Sequence, residues 1–355
     1  MRARYVLVGF GGTAENRVAR EGFACDTMHF KALRYAQLVG ATDIDQSRQA
    51  AADSLGLKWY HGLSDVLSDP SVDAVYIATN SSSHAPLAIA ALKAGKHVIV
   101  EEPIATSVAD AKAMTRIAKA KNLSLSVART MVNNAWNVAG KAAVSAGRLG
   151  RVNDSCFHME FSYNRDVAGP AAWRCAGAGE TDGPIFDIAS HCFYMAEFMF
   201  DRKIARVGAT YYPKATKTRA EDGAYVKFVF EDGTQGSVNV SFCEPRGGVS
   251  GTLTNLGYEI YGEKAVLRAY GTMSRLSGHP GEPVAQRLEI DDGQRLLVVR
   301  PARIQNIYQA VVESHAKSVL AGVPLSAAGA VHDVALCAAC HASARKGGRF
   351  TTVKD

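Results

Sequence analysis

The sequence of 355 residues lacks the features that mark membrane, exported and nucleic-acid-binding proteins. No apolar stretch approaches the ~20 residues that a helix needs to cross a bilayer, so no membrane association is expected. Lysine and arginine do not gather in blocks, and the net charge of +6 is modest for this length, which argues against a nucleic-acid partner but suits an anionic small ligand. The first apolar run leads into glycines rather than a cleavage site, so we expect a cytoplasmic protein.

A disulfide framework is also lacking. The seven cysteines are scattered along the chain, and we expect free thiols in a reducing compartment. One segment, Cys337-Ala338-Ala339-Cys340-His341, matches the spacing of a c-type haem attachment site. Attachment requires export, and the alanine-rich run 331–344 has the pattern of a helix that buries both cysteines on one face. We therefore interpret the segment as helix core, and we predict neither haem nor a metal site.

Residues 1–128 alternate short apolar runs with helix-like stretches, at the spacing of βαβ units. Continuous apolar strands of this kind are buried on both faces of a parallel sheet. We therefore predict an N-terminal Rossmann domain, a doubly wound parallel sheet. Its predicted strands are 5–9, 37–43, 74–79, 97–100 and 124–128.

Residues 129–355 have a different pattern, which predicts an α+β domain with a large, mostly antiparallel open sheet. The turn Glu231-Asp232-Gly233 between two alternating runs predicts a hairpin. The exposed face of such a sheet is a natural dimer surface, so we expect a homodimer or homotetramer. Helices from about residue 304 onward are expected to pack back on the first domain. The predicted strands are 152–163, 205–212, 225–230, 236–242 and 258–261.

A glycine-rich turn follows the first strand and predicts a dinucleotide site. Gly9, Gly11 and Ala14 match the G-x-G-x-x-G/A fingerprint, with Phe10 and Gly12 completing the loop. Gly9 makes the tight turn, and Gly11 lets the backbone approach a pyrophosphate. The same glycines could also form a simple turn.

The end of the second predicted strand indicates which dinucleotide binds. Asp43 can accept both ribose hydroxyls and repel a 2′-phosphate, which favours NAD over NADP. Asp45 and Arg48 leave the choice open, because a nearby arginine can accommodate the phosphate. The segment Glu21 to Met28 reads as an insertion, either a flap beside the cofactor or a surface loop.

Three further motifs resemble those of one known family. The first reads Gly95-Lys96-His97-Val98-Ile99-Val100-Glu101-Glu102-Pro103 and resembles a signature of the glucose–fructose oxidoreductase/inositol dehydrogenase/MocA (Gfo/Idh/MocA) family, in which a lysine stands in place of Glu102. The turn from Thr79 through Asn80 to His84 resembles the family's turn before a helix. The segment 182–191 resembles its "Gly-Gly, three residues, Asp, three residues, His" helix, with Pro184 where a second glycine often stands. The resemblance extends over essentially the whole chain.

The resemblance implies an NAD-dependent oxidoreductase that moves a hydride between nicotinamide and a secondary alcohol or ketone of a sugar, cyclitol or sugar derivative. The family's usual proton-transfer residue is the missing lysine. We therefore predict that His191 is the acid/base, held by Asp187 four residues earlier on the same helical face. The family-like segments place Thr79, Asn80, His84 and Glu101 at the cofactor. Arg129 is a further candidate there, and Asn133, Trp173 and Arg174 are candidates at the substrate, because arginines and amides suit hydroxyl-rich ligands and a tryptophan face suits a sugar ring.

Glu102 changes the electrostatics that the lysine would provide. Its negative charge, with Glu101 and Asp187, is expected to raise the pKa of His191 and so favour carbonyl reduction. Two other hypotheses are that Glu102 binds a cationic group, such as the ammonium of an amino sugar, and that Glu102 itself accepts the proton. Two rival functions also stay open: a redox-neutral NAD-using enzyme that cleaves glycosides or epimerises, and an inactive NAD-binding sensor or regulatory protein.

Overall fold

A computed structural model describes residues 1–161, 183–243, 256–273, 286–301 and 303–355. The chain forms two compact units. The first unit contains Met1–Thr130 and Gln305–Val331, and the second contains the described residues of Met131–Leu276, Glu282–Ile304 and His332–Asp355. Within the described ranges, no helix combines the length and the apolar character that crossing a bilayer requires.

The first unit is built on a six-stranded sheet whose strands all run parallel, in the order β3-β2-β1-β4-β5-β6. This confirms the predicted doubly wound sheet. Strands β4 and β5 are almost completely buried, as their continuous apolar sequences predicted. The strands are β1 Ala3–Val8, β2 Ala36–Thr42, β3 Lys58–Trp59, β4 Ala74–Ile77, β5 His97–Val100 and β6 Leu125–Val127.

The helices of the first unit include a π-helical segment, Ala14–Gly22, directly after the glycine turn. The helices α1 to α4 are Gln49–Ser54, Leu63–Ser68, Ser81–Lys93 and Val108–Ala120, and α7 is Ile307–Ala321. Helix α3 ends at Lys93, two residues before Gly95, whose φ of 83° is a conformation that favours glycine. The late helix α7 packs against β1, β2, β5 and the π-helical segment.

Buried polar side chains help to hold α7 on the sheet. The Tyr5 hydroxyl lies 2.7 Å from His315 Nδ1, and the hydroxyls of Ser124 and Ser318 lie 2.7 Å apart. Burial lowers the pKa of His315 to about 3, so the ring is neutral at neutral pH. The paired polar groups are satisfied inside the core, which is the condition for burying them at little cost.

The segment 21–28, expected to be a flap or a surface loop, is anchored in the first unit. Phe23 is buried, with its ring centroid 5.2 Å from that of Tyr5. Glu21 accepts hydrogen bonds from Arg17 and from Asn306, the residue that precedes α7. Contacts with α7 therefore fix the beginning of this insertion.

The second unit is built on a nine-stranded sheet in the order β14-β13-β12-β11-β7-β10-β9-β8-β15. Only β7 and β10 pair in parallel, so the predicted mostly antiparallel sheet is confirmed. Gly233, with a φ of 88°, lies in the predicted hairpin between β9 and β10. The strands are β7 Val152–Glu160, β8 Ile204–Tyr211, β9 Gly223–Phe230, β10 Gln235–Ser241, β11 Leu256–Gly262, β12 Val266–Tyr270, β13 Arg287–Asp291, β14 Leu296–Val299 and β15 Thr351–Thr352.

Helices of the second unit are α5, Ala135–Ser145, and α6, Ser190–Phe200, the latter preceded by a π-helical turn, Ile185–Ala189. Helix α8, Ala328–Ala344, begins in the first unit and belongs to the second from His332 onward. We expected both C-terminal helices to return to the first domain, whereas α8 belongs to the second unit from His332 onward.

The burial of helix α8 explains the spacing of Cys337 and Cys340. Cys337 and Cys340 are buried inside α8, and the Cys337 thiol donates to the Ile185 carbonyl over 3.3 Å. The structure thus confirms the helix that the sequence predicted around the two cysteines.

Candidate active site

The glycine turn is shaped so that backbone can approach a ligand. Gly9 has a φ of 87°, and a Cβ there would stand 2.7 Å from Thr79 Cγ2 and 2.8 Å from the Ala78 carbonyl oxygen. Only glycine fits this position. Around Gly11 and Gly12, a Cβ would meet no atom of the described residues within 4 Å. Open space at the start of a helix after a glycine turn fits the pyrophosphate of a dinucleotide.

Asp43 follows β2 and its carboxylate is fixed by backbone. Its Oδ2 accepts from the Phe10 amide over 2.6 Å and its Oδ1 from the Asp45 amide over 2.9 Å. These bonds tie the carboxylate to the glycine turn, the place where the fingerprint puts the acid that binds ribose hydroxyls.

Arg48, which left the choice between NAD and NADP open, already has hydrogen-bond partners within the protein. Its Nε donates to the Phe10 carbonyl over 2.7 Å, and its Nη2 donates to Glu15 over 2.6 Å. Because the guanidinium already has these partners, the arrangement favours NAD.

His84 has a positioning task in the structure. The ring is buried, with Nδ1 2.7 Å from the Pro103 carbonyl oxygen and Nε2 3.2 Å from that of Thr79. Burial lowers its pKa. His84 thereby ties the turn between β4 and α3, which carries Thr79 and Asn80, to the segment that follows Glu102. The sequence predicted a cofactor contact, whereas the ring lies between two backbone carbonyls.

The two acids after β5 form a hydrogen-bonded carboxyl pair. The buried Tyr76 hydroxyl donates to Glu101 Oε1 over 2.7 Å, and a side-chain hydrogen bond joins Glu101 to the half-buried Glu102. Burial first, and then the negative charge of Glu101, raise the pKa of Glu102 well above its usual value, while the positive charge of Arg129 only partly opposes them. The shift favours the protonated form of Glu102.

This shift bears on the electrostatic argument made from the sequence. We expected Glu102 to act as a negative charge that raises the pKa of His191. Burial and the neighbouring Glu101 instead disfavour the negative charge on Glu102. The sequence could not show this, since the shift arises from burial and from the partner acid.

Arg129 precedes the short turn Thr130–Asn133 at the end of the Rossmann sheet. A Cβ on Gly329, at the start of α8, would lie 3.3 Å from Arg129 Nη1. The absence of a side chain at Gly329 therefore makes room for the guanidinium. This supporting residue had no signal in the sequence.

His191 and Asp187 lie on one continuous helix in the second unit, and both are half-buried. Asp187 is in the π-helical turn, and its amide donates to the Gly183 carbonyl over 2.9 Å. His191 Nδ1 lies 2.9 Å from the hydroxyl of Tyr194, a buried residue that sequence reasoning missed. The spacing of three residues on a helix was the signal that could have found it. Asp187 thus lies in a π-helical turn that runs directly into the α-helix bearing His191.

The predicted substrate contacts are only partly described. Asn133 is half-buried at the end of the turn Thr130–Asn133. Its neighbour Asn134 is buried and caps α5 by accepting from the Trp136 amide over 3.0 Å. Trp173 and Arg174 lie outside the described residues.

Comparisons with known proteins assign both parts of the chain to one family. Residues 3–129 match the family described as "Oxidoreductase family, NAD-binding Rossmann fold", and residues 138–268 match "GFO/IDH/MocA C-terminal domain". A 1,5-anhydro-D-fructose reductase from Ensifer adhaerens is 25% identical over 265 residues, which cover 73% of this chain and 74% of the relative. A myo-inositol 2-dehydrogenase from Thermotoga maritima is 26% identical over 315 residues, 85% of this chain and 87% of the relative.

A solved structure shows the same fold. An aldose-aldose oxidoreductase from Caulobacter crescentus, crystallised with glycerol, superposes with a TM-score of 0.84 over 99% of this chain and 100% of that one, at 21% identity.

Proposed function

Because the chain belongs to the Gfo/Idh/MocA family of oxidoreductases with an NAD-binding Rossmann fold, we propose that it oxidises a secondary alcohol, or reduces the matching ketone, of a sugar, cyclitol or sugar derivative. The names of its relatives, a 1,5-anhydro-D-fructose reductase and a myo-inositol 2-dehydrogenase, support this substrate class. The single observation that carries the redox assignment is the glycine turn with Asp43 fixed beside it.

NAD, when bound, supplies the hydride acceptor or donor. The glycine turn would hold its pyrophosphate at the helix start, and the Asp43 carboxylate would accept its ribose hydroxyls. His84 keeps two of the contributing segments together through Thr79 and Pro103. The residues that we propose to hold the cofactor are Gly9, Phe10, Gly11, Gly12, Asp43, Thr79, Asn80, Glu101 and Arg129.

His191 is the proposed acid/base. Oxidation of an alcohol releases the hydroxyl proton, and a well-placed acid/base contributes about 10²–10⁴-fold to such a step. The hydrogen bond between Nδ1 and the Tyr194 hydroxyl fixes the orientation of the imidazole. Asp187 lies four residues earlier on the same helix and is proposed to support the charged form of the ring.

Glu102 is proposed to act as a neutral carboxyl beside the substrate. Its raised pKa favours the form that carries the proton of the hydrogen bond to Glu101, which leaves an oxygen able to accept a hydrogen bond from a substrate hydroxyl. A neutral carboxyl attracts an ammonium group less than a carboxylate does and is a poorer base. The raised pKa therefore argues against the hypotheses of a cationic substrate and of Glu102 as the base.

We also propose that the protein assembles as a homodimer or homotetramer through the open face of the nine-stranded sheet. Tyr225 on β9 and Tyr261 on β11 are 55% and 38% exposed, next to buried neighbours in the same strands. Large exposed aromatic side chains on a sheet are typical of a surface that a partner covers.

A panel of polyols with NAD, and of keto sugars with NADH, tests the function. We expect hydride transfer, followed by NADH absorbance, with at least one member of the panel. Tight NAD binding without any hydride transfer would favour the inactive sensor. A product formed with retained cofactor and no net NADH would favour the redox-neutral enzyme.

A further inference from the structure

We propose that Glu221, in the connection between β8 and β9, is a positioning residue that holds the start of the helix bearing Asp187 and His191. This inference rests on the proposed function, because it assigns Glu221 a role in the same reaction. The carboxylate oxygen Oε1 of Glu221 accepts a hydrogen bond from the Ile185 amide over 2.9 Å.

The local sequence explains why a distant side chain is needed there. The first N–H groups of a helix have no partner within the helix, and a Ser, Thr, Asp or Asn usually caps them. Here the helix is preceded by Gly183, which has no side chain, and by Pro184, which has no N–H. Glu221 fills the role of the missing cap, and its negative charge suits the positive end of the helix dipole.

Gly183 also allows the close approach of Glu221. A Cβ on Gly183 would stand 2.8 Å from both carboxylate oxygens, and its φ of 95° favours glycine in any case. The glycine of the family-like motif thus has a physical role in this chain, which is to admit the carboxylate of Glu221 to the helix start.

The connection that carries Glu221 is itself held in place. The neighbouring Asp222 is buried and accepts from the amides of Ala215 and Thr216 over 2.6 and 2.8 Å. The Lys214 ammonium donates to Asp222 Oδ1 and to the Ala220 carbonyl, both over 2.5 Å. The tied connection therefore presents Glu221 from a fixed backbone.

Displacing the helix start is expected to displace the reacting groups farther along it. Asp187 lies two residues after Ile185, and His191 one helical turn later. A catalytic group that is displaced by about 1 Å can slow a reaction by up to about 10²-fold. Glu221 is not expected to affect cofactor affinity, because the proposed cofactor residues lie in the first unit.

Three variants test the proposal: Glu221→Ala, Glu221→Gln and, as a control, Glu231→Ala. Glu231 is an exposed acid at the far end of β9. For Glu221→Ala we expect kcat to fall about tenfold, NADH affinity to stay unchanged, and amide exchange in 183–191 to accelerate. Glu221→Gln keeps an acceptor oxygen and should restore both kcat and protection. If Glu221→Ala does not fold, Glu221→Asp, whose shorter side chain withdraws the carboxylate, replaces it.

Unchanged kcat and exchange in Glu221→Ala would overturn the proposal, and so would a Gln variant as impaired as the Ala variant. Amide exchange is read without substrate. If wild type transferred no hydride with any member of the panel, the proposed function would fail, while the exchange data would still decide whether Glu221 holds the helix.

Discussion

At the scale of single residues, the most unusual group is Glu102, an acid whose pKa the protein raises. Some acids have a higher pKa in the folded chain than in the unfolded chain. The contribution of such an acid to the free energy of unfolding is most favourable below the unfolded pKa, and it is lost as the pH rises toward the folded pKa. Above pH 4.5, the unperturbed value, wild type should therefore lose up to about 1.4 kcal/mol of unfolding free energy per pH unit relative to Glu102→Gln.

Urea denaturation of wild type and Glu102→Gln over a series of pH values measures this loss. Glu263→Gln is the matched control, because Glu263 is exposed and its hydrogen bond with Arg151 lowers its pKa. Stability curves of wild type and Glu102→Gln that run parallel from acidic to mildly alkaline pH would show that Glu102 is ionised.

Asp43 carries the second residue-scale prediction. Asp43→Ala should weaken NADH binding about tenfold or more, because hydrogen bonds to charged groups contribute about 1.5–3 kcal/mol. Its preference for NADH over NADPH should shrink, since the carboxylate no longer repels a 2′-phosphate. Fluorescence titration with both cofactors measures the change, with Asp45→Ala as the neighbouring control. Equal NADH affinity in Asp43→Ala and wild type would show that Asp43 does not bind the ribose of the cofactor.

Residues of the cofactor site were predictable where a local pattern identifies them. Gly9 and Asp43 stand at fixed places relative to β1 and β2, and the structure puts them together. Tyr194 was missed although its spacing of three residues from His191 could have identified it. Tyr76 and Glu221 were not predicted because their partners lie far away in the sequence, and folding alone brings them within hydrogen-bond distance.

At the scale of elements, the start of α7 offers a direct test of how the late helix is held. Asn306 is buried, and its Oδ1 accepts from the amides of Tyr308 and Gln309 over 2.9 and 3.0 Å. Asn306→Ala should lower the unfolding free energy by about 1–2 kcal/mol, the usual effect of losing an N-cap. Urea denaturation of wild type and Asn306→Ala, with the m-value unchanged, measures this loss of unfolding free energy.

Asn306→Asp serves as the companion variant. An aspartate keeps the cap but places a second carboxylate near Glu21, to which Asn306 Nδ2 now donates over 3.3 Å. We expect a stability between wild type and Asn306→Ala. An alanine variant as stable as wild type would show that packing alone fixes the start of α7.

The Rossmann strands, whose apolar runs are continuous, were predicted, whereas several short or irregular elements were not. The five Rossmann strands that the sequence indicated lie within a few residues of β1, β2, β4, β5 and β6. The two-residue strands β3 and β15 are too short to show a period, and the π-helical segments Ala14–Gly22 and Ile185–Ala189 share their apolar spacing with ordinary helices. Edge strand β14 is exposed on both faces, so no alternation identifies it.

At the scale of the whole molecule, the nine-stranded sheet predicts self-association. The combined substitutions Tyr225→Asp and Tyr261→Asp should shift the protein toward monomer, because they put charge on a face that a second copy is proposed to cover. Sedimentation velocity measures the distribution of species. The matched control is Leu320→Asp, which changes an exposed apolar residue of α7. A wild-type protein that sediments as a monomer at micromolar concentration would contradict the assembly.

The account as a whole depends on the imidazole of His191 transferring the proton. The most direct test of this proton transfer is the single-turnover formation of NADH from NAD and the best alcohol of the panel. The rate is compared between wild type, His191→Ala and Tyr194→Phe. We predict that His191→Ala slows the step about 10²–10⁴-fold, and that Tyr194→Phe, which keeps the imidazole of His191 but removes the hydroxyl that orients it, slows the step less. If folded His191→Ala formed NADH as fast as wild type, the proposed acid/base would be wrong.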